Sequence, residues 1–64
     1  MRPSDEQILA LLIEAEGDAW AVAESLCDAE VARGEYEGCS SELEMAFAEY
    51  EQRAQQILAQ AGGR

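Results

Sequence analysis

The chain contains no lysine and no histidine, and all its positive charge rests on four arginines. Without histidine it lacks the side chain used most often as a general acid–base group and as a metal ligand near neutral pH. The single proline is Pro3, at the start of the chain, so no later segment is interrupted by proline. Two cysteines, Cys27 and Cys39, are too few for a disulfide framework or a zinc site. In the cytoplasmic setting expected for this chain, both should be reduced thiols. The apolar stretch Ile8–Ile13 spans six residues, which suits neither a membrane span nor a secretion signal.

Bulky hydrophobics are also few. Ile8, Leu11, Leu12, Trp20, Val22, Leu26, Val31, Leu43, Phe47, Tyr50, Ile57 and Leu58 form the candidate core. Each contributes about 1.5–3 kcal/mol when fully buried, set against the entropy of ordering the whole chain. Sixty-four residues make one domain near the lower size limit for unaided folding. A marginal monomer or a weak homodimer is expected.

Acid is what the sequence has in abundance. Fourteen carboxylates face the four arginines, for a net charge of −10. Such a body repels nucleic acid and anionic membranes, so neither is expected to bind directly, and partners should be basic.

Apolar periodicity and capping residues predict an all-α fold, a small three-helix bundle. The first helix, about 5–16, opens on Ser4 with Gln7 three residues on as a capping box, and stops at Gly17. Asp18 caps the second, about 19–33, which Gly34 closes. Trp20, Ala23, Cys27 and Val31 line one side of it, and Trp20 is assigned to the core. Ser41 with Glu44 forms another capping box for the third helix, about 42–60, followed by a flexible tail over 61–64.

The segment ILALLIEAEGDAWAVAESL resembles the first two helices of a helix-turn-helix unit. The next residues, CDAEVARGEYEG, carry four carboxylates and one arginine where a recognition helix needs basic or amide side chains. DNA reading is therefore not implied. In size, charge and helical character the chain resembles small acidic phage-encoded inhibitors, including anti-CRISPR proteins and other DNA mimics. That resemblance implies an inhibitor that blocks the DNA-binding surface of a bacterial defence complex, with a type I CRISPR effector subunit as the partner.

The carboxylates fall into two groups. Glu42 and Glu49 lie on one flank of the third helix's apolar stripe, Glu44 and Glu51 on the other, each pair about 10 Å apart along the axis. Glu30, Glu35 and Glu37 would extend this partner-binding surface, with Arg33 or Arg53 the simplest partner for Glu30. Glu14, Glu16, Asp18, Glu24 and Asp28 make a possible second patch. The far face of the third helix is neutral, with Met45, Ala48, Gln52 and Gln56, and suits helix packing or dimerisation. A small adaptor, or an antitoxin, working through that face is the alternative to the acidic inhibitor.

No catalytic constellation is present. The cysteines lack a basic neighbour to lower their pKa, and Ser40 and Ser41 lack a base. Neither a calcium loop nor a glycine-rich phosphate loop occurs. Neither an enzyme nor a cofactor is expected.

Overall fold

The computed structural model of the chain describes residues 2–62. Its three helices are, in order, α1 (Asp5–Glu14), α2 (Ala19–Ala32) and α3 (Ser40–Gly62). They form the expected three-helix bundle, with no strand among the described residues. Contacts of α1 and the residues flanking it with α3 climb in step, from Arg2 against Glu49 through Asp5 against Arg53 to Gly17, in the turn after α1, against Leu58. Hence α1 and α3 run parallel, with α2 antiparallel between them in sequence.

The local signals act as their chemistry dictates. The Ser4 side chain accepts from the Gln7 N–H and the Gln7 side chain accepts from the Ser4 N–H, completing the capping box. Asp18 accepts from the Ala21 N–H at 3.1 Å. At the end of α2, Gly34 adopts a φ of 79° while its N–H donates to the Val31 carbonyl and the Glu35 N–H to the Glu30 carbonyl. This pair of bonds satisfies carbonyls the helix leaves open.

Two boundaries differ from expectation. α1 ends at Glu14, and the residue that turns left-handed after it is Glu16, at φ 55°, ahead of Gly17 at 83°. The Glu16 N–H donates to Ile13 and the Gly17 N–H to Leu12, so a glutamate occupies the position glycine normally fills. Glu16→Gly relieves a left-handed strain of about 1–2 kcal/mol and adds unfolded-chain entropy of about 0.5–1 kcal/mol, so it should raise stability by about 0.5–1 kcal/mol. A urea titration checks this; an unchanged or lower midpoint contradicts it. α3 starts at Ser40, and the Leu43 N–H donates to the Cys39 carbonyl, which places Ser41 inside the first turn instead of at a cap. At the other end Ala61 and Gly62 continue α3 where a flexible tail was expected, and Gly63 and Arg64 lie outside the described residues.

The core has two parts joined by Leu26. Ile8, Leu12, Ala19, Val22 and Ala54 pack where all three helices meet, with Leu11, Ala15 and Ile57 around them. Ala23, Cys27, Ala46 and Tyr50 pack between α2 and α3, beside Tyr36, Leu43 and Phe47. Much of the close approach is made by alanines, which lets a bundle with few large side chains remain tight.

The 23 residues of α3 outrun the 10 of α1, and the body measures 42 × 17 × 17 Å. α1 covers one side of the α2–α3 pair and leaves the opposite side open. Three residues expected in the core show the consequence: Trp20 is 51% exposed, Val31 49% and Leu58 40%.

Candidate protein-binding surface

The described arginines are each held within the chain. Arg2 bonds Glu49 and lies over the Tyr50 ring at 5.7 Å from its centroid. Arg33 reaches Glu35 at 2.7 Å. Arg53 donates to Asp5 at 2.7 Å and to the Pro3 carbonyl at 3.3 Å, tying the start of α1 to α3. Glu35 and Glu49, both expected on the partner-binding surface, are thus engaged in ion pairs.

Glu30 leaves that surface altogether. It is 3% exposed, and instead of Arg33 or Arg53 it meets the hydroxyls of Tyr36 and Tyr50, which donate to its two carboxylate oxygens at 2.5 Å each. Its position on α2 faces the core, and Tyr36 folds in from the loop to complete the pair. A buried carboxylate tolerates loss of water only when its lone pairs find donors, and two phenols supply them here. The bond to Glu30 pushes the Tyr36 pKa up to about 12, while burial first and the Glu30 bond second push Tyr50 upward as well.

This arrangement makes stability sensitive to alkali. Tyrosines in the unfolded chain lose their protons near pH 10, whereas the folded ones keep theirs to higher pH. The contribution is therefore complete below about pH 10 and is lost as pH rises from there toward about 12. Melting temperature should fall as pH rises above about 10, and less steeply for Tyr36→Phe. The same slope in both proteins contradicts the assignment.

Glu30 aside, three of the fourteen carboxylates are paired with arginine; the other ten have no cationic partner among the described residues. Helical geometry sorts several of them. On α3, Glu42 and Glu49 lie on the side of α1 and Arg2, whereas Glu44 and Glu51 lie on the side of Phe47 and Leu58. On α2, Val22, Leu26 and Ala29 turn toward α1, while Trp20, Glu24, Asp28 and Val31 turn the other way. Trp20 and Phe47 meet edge to face, ring centroids 5.5 Å apart, so these two flanks border one groove.

Carboxylates expected in separate patches therefore share a face: Glu24 and Asp28 on α2, Glu44 and Glu51 on α3. Glu14, Glu16 and Asp18 sit at the far end, around the α1–α2 turn, with Asp18 occupied as a cap. Glu37 is exposed in the loop. Val31 and Leu43 extend the groove to a cleft of about 430 Å³ beside the loop, lined also by Tyr36 and Cys39. Met45, Ala48, Gln52 and Gln56 are all exposed, Met45 at 73%.

Burial, and then the charges of Glu30 and Asp28, push the Cys27 thiol pKa upward, which makes it a poor nucleophile. Among the described residues no group of three or more acidic, cysteine or histidine side chains is placed to hold a metal, and no helix is long and apolar enough to cross a membrane. The chain matches no protein-family model, no curated protein and no solved structure.

Proposed function

We propose that this protein is an acidic inhibitor that mimics DNA, occupying the basic surface with which a partner binds duplex DNA. Its resemblance to anti-CRISPR proteins makes a bacterial defence complex the target, and a subunit of a type I CRISPR effector the first choice. One observation carries the reading: the described arginines are all engaged in ion pairs within the chain, so the carboxylates left over face solvent nearly unopposed. Four of them, Glu24, Asp28, Glu44 and Glu51, share the face marked by Trp20 and Phe47, a concentration of negative charge that suits a partner surface built to bind phosphates.

Mimicry then works by competition. Lysines and arginines that would release counterions on meeting phosphates meet carboxylates instead. Surplus charge of one sign costs stability through self-repulsion, and a marginal domain retains it most readily where a partner relieves it. The test is duplex binding by a purified type I effector complex. The protein should abolish it in proportion to its concentration, and excess duplex should restore it. Unaltered DNA binding in the presence of bound protein would sink the proposal.

The alternative is an adaptor or antitoxin that binds through apolar helix faces. It draws its support from Met45, 73% exposed in a neutral row with Ala48, Gln52 and Gln56 that other helices could pack against. Such binding would be nearly indifferent to salt.

A further inference from the structure

We infer that the groove between α2 and α3, on the side away from α1, receives an amphipathic helix of the partner that carries lysine or arginine along both edges. The inference rests on the reading of this chain as a binder of basic proteins and specifies where and how the contact is made. The floor of the groove is apolar: Trp20 and Phe47 in edge-to-face contact, with Val31 at one end and Leu58 toward the other. Trp20 is half exposed although it packs on Phe47, so a large indole surface stays in water. Half-exposed tryptophan set among other apolar groups is the usual anchor of a protein interface.

Length and shape select a helix. From Trp20 to Val31 is eleven residues, about 16 Å of helix, which is three turns. The fold itself displays the packing mode, because α1 lies against the other side of the same α2–α3 pair with Ile8 and Leu12 inserted. A fourth helix opposite α1 would complete a bundle of ordinary geometry.

Charge selects the partner's chemistry. Glu24 and Asp28 border the groove on α2, Glu44 and Glu51 border it on α3, and none has a cationic partner among the described residues. A second copy of this chain would set carboxylates against carboxylates, with a net charge of −10 on each side. Like charges across an interface disfavour that pairing, whereas lysines or arginines flanking an apolar seam satisfy all four.

The probe is a 14-residue leucine–lysine peptide designed as an amphipathic helix, beside a peptide of the same composition broken by two D-residues. Trp20 is the only tryptophan, so its emission reports directly on the groove. The helical peptide should shift Trp20 emission to the blue and bind at least about tenfold more tightly than the broken one. Trp20→Ala should weaken labelled-peptide binding at least about tenfold. Glu24→Lys/Glu44→Lys, which alters only exposed side chains, should do the same should Trp20→Ala fail to fold. If both peptides bind alike and leave Trp20 emission unchanged, the groove is not the contact, while the acidic-binder reading survives. If neither binds at low salt, both fall together.

Discussion

Glu30→Ala should cost the chain most of its stability at room temperature, although it removes a negative charge from a protein whose net charge is −10. The substitution strands the buried Tyr50 hydroxyl, at about 1–3 kcal/mol. It also empties space in the α2–α3 core, which adds about 1–2 kcal/mol of lost packing. Tyr36 suffers less, because its half-buried hydroxyl can turn to water. The sum approaches the whole stability that a domain of this size commonly has, about 3–5 kcal/mol. Thermal and urea unfolding followed by circular dichroism measure it.

Two companions make the result specific. Glu35→Ala removes an equal charge from an exposed ion pair and should barely move the transition. Glu30→Leu combined with Tyr36→Phe and Tyr50→Phe replaces both sides of the network with apolar groups, and should recover much of the loss. A Glu30→Ala protein as stable as Glu35→Ala would mean that the tyrosines do not hold the carboxylate.

The signals legible in the sequence are local ones. Ser4 with Gln7, Asp18 and Gly34 each act on backbone groups within four or five residues, so spacing alone locates them. Glu30 escapes such reading because its partners arrive from positions 36 and 50, and a glutamate inside an apolar stripe carries no mark of the phenols that will meet it. Arg2 and Glu49 are 47 residues apart, beyond any periodicity. Trp20 sits at the edge of the α2 stripe, where burial depends on whether a neighbour covers that side. The element that could do so, α1, docks on the other.

For the candidate surface, the sequence reveals the excess of charge but not its distribution. Helical spacing pairs Glu44 with Glu51 correctly, whereas it places Glu24 and Asp28 in a different patch. Only the Trp20–Phe47 contact shows that α2 and α3 turn these four carboxylates to one face.

That grouping yields the second large effect. Reversing Glu24, Asp28, Glu44 and Glu51 to Lys together should weaken binding to a basic partner by at least about 1,000-fold, since four attractive contacts become repulsive. None of the four is buried or capping a helix, so the helical spectrum should be retained. The matching control reverses Glu6, Glu14, Glu16 and Glu42, with the same change in net charge on other parts of the surface. It should cost far less, about tenfold or under at moderate salt, because screened charges outside the contact act weakly. Equal losses from both sets would make net charge, and no particular face, responsible.

In the proposed function, carboxylates of this chain take the place of phosphates on a DNA-binding protein. The most direct test is to hold the tagged protein on a resin, capture partners from a bacterial lysate containing a type I CRISPR system, and elute across a salt series with and without duplex DNA. A DNA-binding subunit should be retained, its affinity should fall steeply between about 50 and 200 mM salt as screening weakens the contacts between carboxylates and lysines or arginines, and duplex DNA should displace it. A partner that stays bound through the salt series and ignores DNA would contradict mimicry and favour the neutral face around Met45.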